Sequence, residues 1–491
     1  MITLFVLQII LFWGKFVYIQ QIINGLKCQV VGADNPDVTN LSCDTSTVTP
    51  GSLFFCLKGQ QYDGHNFFRK VIGDGAVAIV TERKLDTSLL QIIVPNTRIA
   101  MSVCAKNFYE NSADKMRLVA IVGTNGKTST SYILQNILQK AGINTAVVGT
   151  NGVFFNNQHI ACNLTTPDPI LLHKLFKQMH QNNVKTVVME VSAHAIALEK
   201  IYGLHFDVAI FTNFSQDHLD FFRTMQRYAE VKSSFFCQDN LTNAVVNVDD
   251  TLGKQIYDKM PSVSYGFGSN CDCSVQNVTT LKDFTTFEMS LFGNRAVVQT
   301  KLQGQFNIYN ILSASATASV LGVPISTIVQ GVQQVEQIDG RNQTLVRNDG
   351  AKIVIDFAHT PDGLENILSY LKSVCEGQLI VLFGCGGNRD KFKRPLMAEV
   401  VSKYADFAIV SNDNPRFEDP KVIAKDIVSR LTCKHKVVLN RSQATEFALS
   451  LASCDDIVAI LGKGAERYQE IKGKKVPYCD LEVVSRLLNV T

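Results

Sequence analysis

Between residues 19 and 112, short apolar runs alternate with turn residues: 52–57 follows Thr49-Pro50-Gly51, and a second run occupies 76–80. Apolar runs of this length bounded by turns predict strands, and the region reads as a small α/β domain. At 118–122 a run typical of a buried strand meets Gly123-Thr124-Asn125-Gly126-Lys127-Thr128. Residues 131–140 then take helical spacing, with Gly142 as the stop. Strand, phosphate loop and helix follow one another. Further runs at 145–148, 186–191, 208–211 and 244–248 alternate with helical stretches, which predicts a mostly parallel sheet in a region ending near Arg341. A third alternation, at 353–357, 379–383, 407–410 and 457–461, predicts a Rossmann-like doubly wound sheet whose ligands meet the carboxyl ends of its strands. The fold class is α/β in three domains: 18–115, then 116–341 with a central P-loop parallel or mixed sheet, then 342–491.

Composition adds three points. With 491 residues, 46% of them hydrophobic, the chain has apolar material for roughly two to four packed domains. Its 47 basic and 44 acidic residues nearly balance, so the whole-chain field gives no reason to expect a nucleic acid as main partner. The thirteen cysteines are odd in number and never spaced C-x-x-C, and the C-x-C at Cys271 and Cys273 lacks the second half of a zinc site. A reducing, cytoplasmic location fits such ordinary thiols. Residues 1–13 are nearly all apolar, too few for an ordinary membrane span, and Lys15 follows the run where a signal peptide would place its charge first. Segment 1–17 reads as an appended leader, with a weak membrane anchor as the alternative; membrane contact is not required.

Backbone N–H groups of a glycine turn, backed by a helix N-terminus, form an anion site that a lysine completes. Gly123, Thr124, Asn125, Gly126, Lys127, Thr128 and Ser129 supply these parts, and the Thr128 hydroxyl suits Mg²⁺. Ile121 stands where the usual G-x-x-x-x-G-K-[ST] pattern has its first glycine. Glu190 ends one apolar strand and Asp217-His218 follows the end of another, so a carboxylate and an imidazole converge above the sheet as a second candidate metal site.

Met189-Glu190-Val191-Ser192-Ala193-His194, Thr212-Asn213-Phe214-Ser215-Gln216-Asp217-His218-Leu219-Asp220 and Asp356-Phe357-Ala358-His359-Thr360-Pro361 follow the phosphate loop in an order that resembles the Mur ligase family. The resemblance runs from about residue 19 to the C-terminus. It implies domains for a UDP-muropeptide, ATP and an amino acid in turn. It also implies a reaction in which a carboxylate attacks the γ-phosphate of ATP and an amine displaces phosphate from the acyl phosphate. Lys127, Glu190, His218 and Lys232 would be catalytic. Thr128, Glu190, His218 and Lys232, the last as a carbamate, would hold Mg²⁺, because an unmodified ammonium would repel it. Asn310, Arg341 and Asp356 resemble nucleotide contacts.

Leu164-Thr165-Thr166-Pro167-Asp168-Pro169 resembles the muropeptide loop of the family's third-residue-adding ligases, which implies UDP-N-acetylmuramoyl-L-alanyl-D-glutamate as substrate, with Thr165, Thr166, Ser192 and Lys200 in contact with it. Lys200 replaces an arginine, keeping charge but losing bidentate geometry. Thr45 and Ser46 lie at the uridine-site position, where relatives often carry Asp-Ser-Arg. Asp413-Asn414-Pro415-Arg416 resembles the signature for meso-diaminopimelate. Diaminopimelate differs from lysine by a second carboxylate at its far end, and a guanidinium receives a carboxylate through two parallel hydrogen bonds, so Arg416 is the candidate clamp. The bland alternative pairs Arg416 with Glu418 or Asp419. Arg389, Gly462 and Glu466 match further positions of that site, while Ala465 and Asn342 depart from the pattern. The expected protein is a monomer that works in cell-wall precursor synthesis. The rivals are ligation of L-lysine or another amino acid, and a nucleotide-binding regulator without turnover.

Overall fold

The computed structural model describes residues 17–488 except 33–34, 60–61, 238, 269 and 282. Apart from Val17, the leader expected at 1–17 lies outside the described residues. The chain packs as two compact units, one of Met1–Leu118, Thr166–Val187 and His194–His205, the other of Val119–Thr165, Val188–Ala193 and Phe206–Thr491.

The first unit contains a five-stranded sheet in the order Gln29–Val31, Leu90–Ile93, Ala76–Thr81, Ser52–Phe55, Asn40–Ser42. Only the first pair is antiparallel. Asn96 caps helix Thr97–Phe108 by accepting from the amides of Arg98 and Ile99, and the helix buries Ala100, Met101 and Cys104 against Leu53, Phe55, Val80 and Ile92. The runs at 52–57 and 76–80 supply strands of this sheet, and the unit also takes in Thr166–Val187 and His194–His205.

An eleven-stranded sheet runs through the middle of the chain. Arg117–Val122 pairs in parallel with Phe206–Phe211, and parallel pairing continues to Leu241–Asn247, Val263–Gly266 and Cys273–Thr280. Both margins are antiparallel, so the sheet is mixed, with the predicted parallel pairing running through its centre. At one margin the two-residue turn Asn156-Asn157, with φ of 47° and 61°, joins Gly152–Phe155 to Gln158–Ile160. At the other, Phe292-Gly293 at 49° and 83° joins Thr285–Leu291 to Asn294–Thr300. Positive φ at both turn residues matches strand twist and allows a tight hairpin. Helix Lys127–Lys140 places Ile133, Leu134, Ile137 and Leu138 in the core. Gly331 of helix Ile325–Gln333 lets that helix approach closely: a Cβ there would stand 2.6 Å from the Ile137 Cα.

The last sheet has the order Gln343–Val346, Lys352–Asp356, Ile457–Leu461, Leu379–Phe383, Phe407–Val410, His435–Val437, parallel after its first pair. Alternate strand residues serve two cores. Val354, Val381 and Ala459 pack under helices Pro361–Val374, Lys393–Tyr404 and Pro420–Val428, whereas Ile353, Ile355 and Ile380 pack under Arg441–Leu451 and Asp480–Leu488. Helices on both faces make the sheet doubly wound, as its apolar runs predict. No helix among the described residues is long and apolar enough to cross a membrane.

Candidate active site

Gly123 to Gly126 turn between strand Arg117–Val122 and helix Lys127–Lys140 and are tied to the end of the neighbouring strand. The amides of Thr124 and Asn125 donate to Asn213 O and Oδ1, each at 2.9 Å. Thr212 Oγ1 returns a 2.7 Å bond to Asn125 O. Gly126 has φ 86°, and a Cβ there would run into Asn310 Oδ1, so this turn requires glycine. Lys127 Nζ folds back on the carbonyls of Gly123 and Thr124 at 3.0 and 2.8 Å. Burial lowers the Lys127 pKa, with Glu190 and Asp217 opposing and Arg341 adding to the shift. Ser129 lies buried in the first turn of the helix.

Across this loop stand groups from the middle and last sheets. Arg341 donates to Thr128 Oγ1 at 2.9 Å and lies over the Phe357 ring. Asp356 accepts from the amides of Asn342 at 2.6 Å and Ala358 at 2.7 Å. Asn125 Nδ2 reaches Asp362 Oδ2 at 2.7 Å. Glu190 is buried, with Thr150 donating through its amide at 3.0 Å and its hydroxyl at 2.9 Å. Asp217 gathers Lys393, His218 and His359 at 3.4, 3.3 and 3.4 Å. Burial opposes ionisation of Asp217, yet Lys393 and the two imidazoles hold its carboxyl well below the usual range. His218 has φ 57°, a left-handed backbone that the Asp217 side chain supports by accepting the His218 amide at 2.9 Å.

Lys232 is 1% exposed, sits 4.7 Å from the centroid of the Tyr228 ring, and has no hydrogen bond or ion pair among the described residues. Burial first, then the Lys127 ammonium, push its pKa well below the lysine range against the smaller pulls of Asp217 and Asp250. A lysine so placed favours its neutral, nucleophilic form.

The candidate amino-acid residues cluster at the carboxyl end of the last sheet. Asp413 and Asn414 are buried, and a Cβ on Gly462 would meet Asp413 Oδ2 at 2.8 Å. Asn414 bridges Glu466 at 2.9 Å and the buried Lys463 at 3.2 Å, while Lys463 reaches Glu466 at 2.7 Å. Arg416 does not pair with Glu418 or Asp419. Its Nε donates to Glu470 Oε2 and its Nη1 to Gly387 O, both at 2.9 Å. Glu418 serves Arg394 and Lys391, and Asp419 caps helix Pro420–Val428. The basic cluster at 389–394 is thus partnered residue by residue, with Arg389 3.5 Å from Asp220.

Thr165 meets Thr150 at 3.2 Å, and Ser192 is half-buried just beyond strand Thr186–Glu190. In the first unit, Asp44 caps the short turn Thr45–Thr47 and accepts from the Ser46 amide and hydroxyl at 2.8 Å each, while Lys70 donates to Thr45 at 3.3 Å. Thr166 is buried there, and Lys200 pairs with Asp168 at 2.8 Å. Sequence reading overlooked Thr150, Lys393, His359, Lys463 and Glu470. His359, Lys393 and Lys463 lay inside or beside quoted motifs; Thr150 and Glu470 carry no local signal.

Three family descriptions match along the chain: Mur ligase family, catalytic domain, at 37–125; Mur ligase middle domain at 121–318; and Mur ligase, glutamate ligase domain, at 340–464. A UDP-N-acetylmuramoyl-L-alanyl-D-glutamate–2,6-diaminopimelate ligase of Bacillus velezensis is 38% identical over 466 residues, 92% of this chain and 95% of the relative. The ligase of that name from Geobacillus kaustophilus is 39% identical over 464 residues, 91% and 94% of the two chains. A solved structure of a ligase with the same name superposes with a TM-score of 0.68 at 28% identity, covering 97% of this chain and 99% of the other. The MurF ligase of Thermotoga maritima in complex with ADP shares the fold, with a TM-score of 0.61 at 19% identity over 86% and 93% of the two chains. Phosphate loop, crossing cations and doubly wound last sheet therefore sit in a chain that belongs to the Mur ligase family.

Proposed function

We propose that this protein uses ATP to join meso-diaminopimelate to the D-glutamate of UDP-N-acetylmuramoyl-L-alanyl-D-glutamate in the cytoplasm. The similarity over more than nine-tenths of the chain to ligases named for that reaction carries the reading. Residues 18–115 take the UDP-muropeptide, 116–341 the nucleotide and 342–491 the amino acid.

A carboxylate oxygen of the glutamate attacks the γ-phosphorus, and the bond to the ADP oxygen breaks. The diaminopimelate amine then adds to the acyl-phosphate carbon, loses a proton, and phosphate leaves. The first step brings two anions together and the second builds negative charge on the acyl oxygen and the leaving phosphate, so cations fixed in a shielded site lower the barrier more than mobile ones would. Lys127 and the amides of Gly126 to Ser129 at the helix N-terminus hold the phosphates, Asn310 the base and Asp356 the ribose. Arg341, already on Thr128, adds positive charge beside the phosphates.

The residues present fit Mg²⁺. Thr128 offers a hydroxyl, Glu190 a fixed carboxylate and His218 an imidazole. Lys232, buried with no ion pair among the described residues and with its pKa pushed down by burial, is suited to become a carbamate and thereby an anionic ligand. When bound, the metal supplies charge neutralisation at the phosphate oxygens. Arg416 receives the far-end carboxylate of diaminopimelate, with Arg389, Asp413, Asn414, Gly462 and Glu466 around the rest of the amino acid. Thr45, Ser46, Thr165, Thr166, Ser192 and Lys200 contact the UDP-muropeptide. The test is phosphate release by purified protein given ATP, Mg²⁺, the UDP-dipeptide and diaminopimelate. Release that needs every component supports the reading; release without the dipeptide, or none at all, overturns it.

A further inference from the structure

Arg416 does not stand alone. Its backbone has φ 52°, a left-handed conformation that costs a non-glycine residue, and the hairpin of strands Tyr468–Ile471 and Lys474–Pro477 holds it there. Arg416 N donates to Glu470 O at 2.9 Å, and Lys472 N donates to Arg416 O at 2.7 Å. The backbone is therefore pinned whatever side chain position 470 carries. The guanidinium is pinned separately: the Glu470 carboxylate takes Nε, and the Gly387 carbonyl takes Nη1. Nη2 has no partner among the described residues, and the side chain is 20% exposed. A guanidinium held at Nε keeps its Nη1–Nη2 end for an incoming carboxylate, because five N–H groups in a rigid plane leave two parallel donors there.

We propose that Glu470 is a positioning residue that fixes the Arg416 guanidinium end-on towards the far-end carboxylate of the amino-acid substrate and so sets the preference for a dicarboxylic diamine over lysine. The inference rests on Arg416 as the clamp. Glu470 acts through Arg416, so its loss affects recognition of that carboxylate and not phosphoryl transfer. Glutamine at 470 keeps a carbonyl acceptor for Nε, whereas alanine releases the guanidinium to rotate about its long stem.

The experiment compares wild type, Glu470→Ala, Glu470→Gln and Arg416→Ala, each with meso-diaminopimelate and L-lysine. The expected result for Glu470→Ala is a KM for diaminopimelate raised about tenfold, the effect of losing one charge-assisted hydrogen bond, with kcat and the KM for ATP unchanged. Lysine turnover stays as it was, so the diaminopimelate-to-lysine ratio falls by the same factor, and Glu470→Gln restores most of it. A lowered KM in both Glu470 variants would make Glu470 a competitor for Arg416 and overturn the proposal, as would an unchanged ratio in Glu470→Ala. If Arg416→Ala also leaves the ratio unchanged, the clamp itself is wrong. If Arg416→Ala collapses the ratio and Glu470→Ala does not, only the positioning role fails.

Discussion

Arg441 and Asp480 form a fully buried pair, both side chains 0% exposed, with Nε and Nη2 of the arginine each 2.8 Å from a carboxylate oxygen. The same guanidinium donates to Leu461 O at 2.9 Å and Asn412 O at 3.3 Å. Those carbonyls immediately precede Gly462 and Asp413, so one buried cation brackets the two loops assigned to the amino acid. Replacing Asp480 by alanine strands a charge where water cannot reach. Breaking such a pair from one side costs about 3–5 kcal/mol, far more than the net worth of the pair. At roughly 2–4 °C per kcal/mol for a domain of about 150–250 residues, unfolding of the last domain should fall by about 6–20 °C. Asp413 is also within electrostatic reach of Arg441. It is the other carboxylate acting on Arg441, and its movement towards the stranded charge should raise the KM for the amino acid while leaving that for ATP alone. The double variant Arg441→Met with Asp480→Leu removes both charges and should recover most of the lost stability, as apolar replacements of buried pairs do. Differential scanning calorimetry of the wild type and the two variants, with amino-acid KM values alongside, measures both effects. A single variant that loses less than about 1 kcal/mol, or a double variant no better than the single, refutes the reasoning.

Three other perturbations follow from particular residues. His173 is 1% exposed, both ring nitrogens lack hydrogen-bond partners among the described residues, and burial pushes its pKa down to about 3 from 6.5. The unfolded chain therefore takes up a proton first as pH falls, and stability present above pH 6.5 is lost towards pH 3. Helix Pro169–Gln181 should lose about 2 kcal/mol between pH 7.5 and 5.0, at about 1.4 kcal/mol per unit below 6.5, and His173→Leu should lack that component. Amide exchange of this helix reads the difference, and equal pH dependence in both proteins contradicts it. Lys232 should carry added CO₂ in active protein, seen as a carbamate carbon after ¹³C-bicarbonate exchange, and Lys232→Arg should bind nucleotide yet lose turnover. Gly126→Ala, strained by its φ of 86° and crowded by Asn310, should weaken ATP affinity by at least tenfold in calorimetric titration; near-normal binding would contradict the required turn.

Where burial on both sides forces a continuous apolar run, the sequence was easy to read. Leu379–Phe383, Phe407–Val410 and Ile457–Leu461 match their predicted ranges residue for residue. The antiparallel margins of the middle sheet were harder because half-exposed hairpins show weaker patterns, and their signal is confined to two turn residues, Asn156-Asn157 and Phe292-Gly293. The phosphate loop was legible because glycine and lysine are required at fixed spacing by backbone geometry. Partners from distant segments were not. Nothing near Arg416 marks Glu470, 54 residues away, as its partner, and the nearby Glu418 and Asp419 drew the alternative reading instead. Asp217 illustrates the same limit, since its partners Lys393 and His359 come from the start of a helix and a loop beside another sheet, and only folding brings them together.

The central claim is ligation of diaminopimelate in preference to lysine, and a competition tests it most directly. Purified protein would receive ATP, Mg²⁺, UDP-N-acetylmuramoyl-L-alanyl-D-glutamate and equal meso-diaminopimelate and L-lysine, and the UDP-linked product would be weighed by mass spectrometry. The account predicts the diaminopimelate tripeptide as the dominant product, with the preference collapsing in Arg416→Ala. A lysine tripeptide as the main product, or an unchanged preference in that variant, would contradict it.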